Sequence, residues 1–160
     1  MGNDTPRTPK NIFTDLSVEL TGFDRAELAG TGMIDTYYAT LLRMIGEREA
    51  GQFLRYADDA LTEDGETTPG AGEAFKEAIV DSDRFGPVAA ALVKLWYLGR
   101  WYPLPAGYRD RFGSTADDVE HVVSGQSHRE GLVWVAAGAH PMGAKPPGFG
   151  SWGEPPALPL

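Results

Sequence analysis

The segment from Phe85 to Leu98 carries a single charge, Lys94. A chain of ordinary polarity cannot leave such a stretch in water, so the rest of the fold must be arranged around it. Phe85, Val88, Ala89, Leu92, Val93 and Trp96 follow helical spacing, and Val88, Ala91, Leu95 and Leu98 do so on the neighbouring face. A helix apolar on nearly all sides is buried on nearly all sides. Gly99 is placed to end it in the left-handed conformation, and Pro103 and Pro105 forbid its continuation. Trp101 and Tyr102 follow the helix, so this exit holds two aromatics. They either plug the core or face another protein, because Trp and Tyr are favoured interface anchors.

With 160 residues the chain is long enough for one domain with a proper core. The net charge of −9, with no basic cluster, argues against nucleic acid or an anionic membrane as partner. The absence of cysteine excludes disulfides, cysteine-ligated zinc, iron–sulfur ligation and thiol catalysis in this chain. No apolar run approaches the ~18 residues of a membrane-spanning helix, so no membrane insertion is expected.

Three regions follow from the pattern. Residues 1–12 are polar, hold Pro6 and Pro9, and read as a flexible N-terminus. Residues 13–141 read as an all-α domain. A helix is expected over Phe13–Leu20 with Thr14 as N-cap, and Asp24 with Glu27 forms a capping box for the next. Ile34, Tyr37, Tyr38, Leu41, Leu42 and Ile45 give an unbroken helical stripe ending near Gly46, and Phe53, Leu54, Ala57 and Leu61 continue the spacing. The acidic run from Asp58 to Glu66 lacks the alternating ligands of a calcium loop and reads as solvated. Thr68 and Pro69 are placed to open a helix containing Phe75 and Ile79. Two further helices are expected, one after Ser114 with Val119, Val122 and Val123, the other capped by Ser127 and Glu130 with Leu132, Val135, Ala136 and Ala139 on one stripe. No strand is expected. Residues 142–160 are Pro- and Gly-rich and cannot form a core alone. They read as an extended tail that wraps on a partner, anchored by Phe149 and Trp152; the competing reading folds it back over Trp101 or Trp134.

No catalytic, cofactor or metal site emerges. Gly148-Phe149-Gly150-Ser151-Trp152-Gly153 has the spacing of a dinucleotide loop, but no strand precedes it and Pro155-Pro156 follows. His121, His128 and His140 match no zinc spacing. The chain has neither a nucleophile elbow nor an oxyanion signature. Three functional classes remain at this point: a partner-dependent subunit, a free-standing helical binding or scaffold protein, and a small enzyme using its histidines and carboxylates.

Leu16-Ser17 with Leu20-Thr21-Gly22-Phe23, then Leu95-Trp96-Tyr97-Leu98-Gly99 with Trp101, resembles the small (gamma) subunit of bacterial FAD-dependent sugar and polyol dehydrogenase complexes, the sorbitol dehydrogenase small-subunit family. Gly131-Leu132-Val133-Trp134, Gly138-Ala139-His140-Pro141 and Gly148-Phe149-Gly150-Ser151-Trp152 are similar to it in the same order. The resemblance implies a non-catalytic helical subunit that binds a large FAD-containing subunit of the glucose–methanol–choline type and assists its maturation. FAD then belongs to the partner and none to this chain, and a cytochrome subunit takes the electrons in many such complexes. Trp101, Tyr102, Trp134, His140, Pro141, Phe149 and Trp152 are the residues expected to bind the partner. The family implies a periplasmic or inner-membrane-associated complex. The stretch Met1–Lys10 has no twin-arginine pair, which departs from the family's export route and leaves cytoplasmic retention as the alternative expectation.

Overall fold

Thr8 and Pro9 start the first helix. In the computed structural model, which describes residues 7–63, 66–67 and 72–141, the Thr8 side chain accepts from the Asn11 amide at 3.3 Å, and Pro9 occupies a position where no amide donor is needed. Helix α1 therefore runs Pro9–Thr21, not from Phe13, and the helical domain begins inside the stretch expected to be flexible. Thr14, expected as the cap, is instead buried and donates to the Lys10 carbonyl at 2.9 Å. The expected Asp24–Glu27 capping box is present and opens α2 (Arg25–Gly30). Helix α3 (Ile34–Ile45) carries the expected stripe, with Tyr37, Leu41, Met44 and Ile45 buried, and α4 (Glu47–Leu61) follows after Gly46.

Beyond α4 the acidic run gives a two-residue pair, β1 (Thr62–Glu63) antiparallel to β2 (Glu66–Thr67). The expected cap at Thr68 and Pro69 lies outside the described residues. Phe75 ends a short α5 (Gly72–Phe75), and Ile79 is buried on the π-helical turn Lys76–Val80 that continues it.

Helix α6 (Gly86–Leu98) is the expected central helix. It packs on α1, α3, the π turn and the last helix. Trp96 is 0% exposed. Its indole N–H donates to the Ser17 hydroxyl on α1 at 3.0 Å, and its ring meets Tyr37 of α3 edge-on at 4.7 Å. Both contacts join α6 to helices far away in sequence. Gly99 ends α6 with φ 65°, as expected.

The second half departs from the reading. Arg100–Trp101 forms β3, paired antiparallel with β4 (His121–Val122), so two minimal strand pairs exist where none was expected. Helix α7 (Ala106–Phe112) lies between them. Residues after Ser114 form turns and β4 instead of a helix, leaving Val119 and Val122 exposed. The cause is Asp118, which is buried and accepts from the Trp101 indole at 2.8 Å and the Leu104 amide at 3.2 Å. A buried carboxylate takes the bonds that satisfy it, and here that need overrides local helical spacing. The last expected helix divides into α8 (Gly125–Arg129) and α9 (Leu132–Ala136). Its capping box is Ser124 with Ser127, one turn earlier than expected, and Ala139 lies beyond the helix. The architecture is all-α apart from the two short strand pairs. The tail 142–160 lies outside the described residues.

Candidate functional site

Close backbone approach fixes α8 and α9 against the exit of α6. A Cβ at Gly99 would overlap the Ser127 carbonyl, and one at Gly131 would stand 2.7 Å from the Tyr97 oxygen. Both glycines are therefore required by packing. The buried Ser127 hydroxyl donates to the Gly99 carbonyl at 2.8 Å, which closes the joint. On the other side of Tyr97, its hydroxyl donates to the Thr21 carbonyl at 2.8 Å, and its ring meets Phe23 edge-on at 6.1 Å.

This framework leaves a groove of about 310 Å³ between α2 and α9. Its apolar walls come from Phe23, Leu132, Trp134, Val135 and Pro141, with Glu27, Arg129, Glu130 and His140 among the polar groups that line it. The Trp134 indole N–H donates to the His128 carbonyl at 2.9 Å, and the His128 ring stands edge-on to it at 5.7 Å. The polar edge of Trp134 is thus satisfied while part of its apolar surface stays open. Val135 is 65% exposed. An apolar groove with a satisfied indole can take another apolar side chain.

The expected partner-binding residues separate into groups. Trp134, His140 and Pro141 share the groove. Trp101 does not join them: it is 0% exposed and bound to Asp118, so it is core in this chain and presents no surface. Tyr102 is half-buried beneath the Lys94 ammonium, 5.3 Å from its ring centre, and forms no wall of the groove. Phe149 and Trp152 lie outside the described residues. Phe23 and Val135 are groove residues that the partner-binding expectation missed. Phe23 stood in the family-like stretch. Val135 shares one helical stripe with Leu132, Ala136 and Ala139, and nothing local in the sequence exposes it.

Two polar constellations lie outside the groove. His121 lies at the β4 edge, with Nδ1 2.8 Å from the Val119 carbonyl and Nε2 3.1 Å from the Arg43 guanidinium. The other joins Glu49 of α4, Arg84 and Tyr108 of α7. Arg84 donates Nε to Glu49 at 2.8 Å and a terminal nitrogen to its other oxygen at 2.7 Å, with Tyr108 3.4 Å away. Hydrogen bonding from Arg84 holds the Glu49 carboxyl below its usual range. Burial first, then the Glu49 charge, pushes the Tyr108 phenol up. Through Glu49 the cluster ties the Arg84 turn and α7 to α4. Among the described residues no group of three or more His, Asp or Glu side chains is arranged to hold a metal ion, and no helix is long and apolar enough to cross a membrane. Comparison with family models, curated proteins and solved structures finds no match to this chain.

Proposed function

We propose that this chain is a non-catalytic helical subunit that binds a large FAD-containing dehydrogenase subunit of the glucose–methanol–choline type and assists its maturation. The flavin and the oxidation of a sugar or alcohol belong to the partner, from which a cytochrome subunit takes the electrons. The complex is placed in the periplasm or at the inner membrane by the family resemblance alone. The single structural observation in support is the apolar groove beside α9, with Trp134 partly open and Val135 largely exposed next to the start of the tail. Exposed apolar surface rimmed by polar groups is the usual mark of a binding face. The identity of the partner is carried by the ordered family-like stretches.

Co-expression with its genomic neighbours, followed by affinity capture of this chain, tests the reading. The expected result is a complex with flavin absorbance in stoichiometric proportion, and no flavin absorbance or sugar oxidation from the chain alone. Flavin bound by the isolated chain would overturn the non-catalytic assignment. A flavoprotein that folds and fails to co-purify would leave the free-standing binding protein as the better reading.

A further inference from the structure

Among the described residues, strand β4 is paired on one side only, with β3. The Val123 amide donates to the Gly99 carbonyl at 3.2 Å, which fixes the bonding pattern around the Arg100–Val122 pair. In an antiparallel ladder of that register Trp101 and His121 exchange their bonds, and the N–H and C=O of Val122 point away from β3. Among the described residues neither group has a hydrogen-bond partner. We propose that this outer edge of β4, with the face of α3 beside it, docks an extended peptide segment of another protein that brings a carboxylate to Arg43.

His121 and Val123 alternate with Val122, so they share the face of the strand that meets α3. There Asp35, Thr36, Ala39, Thr40, Arg43 and Val123 line an open groove of about 480 Å³. A segment laid on the β4 edge turns every second side chain onto that face. Asp35 is already paired with Lys10 at 2.7 Å. Arg43 has no carboxylate partner among the described residues. Its guanidinium donates to His121 Nε2 at 3.1 Å, and His121 Nδ1 donates to the Val119 carbonyl at 2.8 Å. A guanidinium can only donate, so the imidazole accepts through Nε2 and carries its proton on Nδ1. The ring thus holds the Arg43 cation in place without neutralising it. In a chain of net charge −9, such a cation beside an open strand edge fits an acidic segment and repels a basic one.

In strand addition the main chain supplies affinity and the pockets beside it supply selection. A strand of two residues offers the Val122 N–H and C=O and little more, so the edge is too short to recruit other chains at random. Selection then falls to the groove, where Ala39 and Val123 meet apolar side chains and Arg43 meets a carboxylate. None of these residues lines the α2–α9 groove, and the edge does not depend on the identity of the proposed dehydrogenase partner.

Amide resonances of the full-length chain test this in titrations with an acetylated heptapeptide that alternates threonine and valine around a central glutamate, and with its glutamine counterpart. The expected result is shifts at Ala39, Arg43, Val122 and Val123, with the glutamate peptide bound about two- to fivefold more tightly, the range of an exposed ion pair. Arg43→Gln should erase that preference. Val122→Pro removes the outward N–H and leaves the bonds between Trp101 and His121, so it should abolish binding of both peptides. The Trp101 indole resonance shows whether the β3–β4 pair survives that change. If it does not, cross-relaxation between the Val122 amide and the peptide backbone in the parent decides in its place. Parent resonances unmoved at millimolar peptide would overturn the proposal, as would equal affinity for the two peptides or full binding by a folded Val122→Pro. Val122 shifts that follow protein concentration without peptide would also overturn it, and would assign the edge to a second copy.

Discussion

At the scale of the residue, Trp96 is the side chain on which most depends. Its ring fills the space between α1, α3 and α6, and its N–H bonds Ser17, whose hydroxyl in turn donates to the Phe13 carbonyl at 2.7 Å. Trp96→Ala removes that volume from a site with no solvent access and should cost about 3–5 kcal/mol, read as a lower urea midpoint. Trp96→Phe keeps most of the packing and loses the Ser17 bond, so about 1–2 kcal/mol is expected. An unchanged midpoint for the alanine variant would show that the site is not core. Glu49 tests electrostatics. Its folded carboxyl titrates below the unfolded one, so its stabilisation is complete above the unfolded value of about 4.3 and is lost as pH falls through the folded value. Glu49→Gln should cost about 2 kcal/mol at neutral pH. That is less than a fully buried pair, because the Arg84 side chain is 31% exposed. The difference between wild type and variant should shrink in acid, which urea titrations at the two pH values measure. Trp96 was legible as core because thirteen residues of α6 surround it with a pattern. Trp101 was not, because its fate is set by Asp118, seventeen positions away, and no local pattern announces that bond.

At the scale of the element, legibility followed length. Helices α3 and α6 are long enough for the apolar period to repeat, and both lie where the spacing put them. Helices α8 and α9 have five residues each, little more than one turn, so no period exists to read. Ser124 and Ser127 both look like caps, and only the tertiary bond from Ser127 to Gly99 selects the earlier box. Strands β3 and β4 have two residues each and pair across a sequence gap, which no alternation reveals. Gly99 is where element and packing meet. Its positive φ would strain any other residue, and its missing Cβ admits Ser127. Gly113 shares the positive φ, at 79°, but has open space around the Cβ position. Gly113→Ala should therefore cost only the backbone term, roughly 1–2 kcal/mol. Gly99→Ala should cost at least about 3 kcal/mol, since backbone must move as well. Thermal unfolding of the pair separates the two causes. Equal losses would mean that α8 is not held by close approach at Gly99.

At the scale of the whole molecule, an acidic helical domain closes its core around α6 and leaves Val135 largely exposed beside an apolar groove. Which helices form that groove could not be read from the sequence, because its walls come from α2 and α9, elements about a hundred residues apart. Trp134, His140 and Pro141, expected to bind a partner, line the groove together. Whether the face binds the proposed large subunit turns on a comparison of two exposed valines. Val135 is 65% exposed and Val119 is 56% exposed, so a charge at either should change folding stability by no more than about 0.5 kcal/mol. Val119 lies in the turn before β4 and forms no wall of the groove. Val135→Glu places a carboxylate beside Glu130 and Trp134, where an apolar partner would have to desolvate it. Capture of the co-expressed flavoprotein by Val135→Glu should then weaken by at least about tenfold, equivalent to 1.4 kcal/mol, while Val119→Glu binds as the parent does. Equal binding by all three proteins, with unchanged melting temperatures, would remove the α9 face from the interface and place the contact elsewhere on the chain.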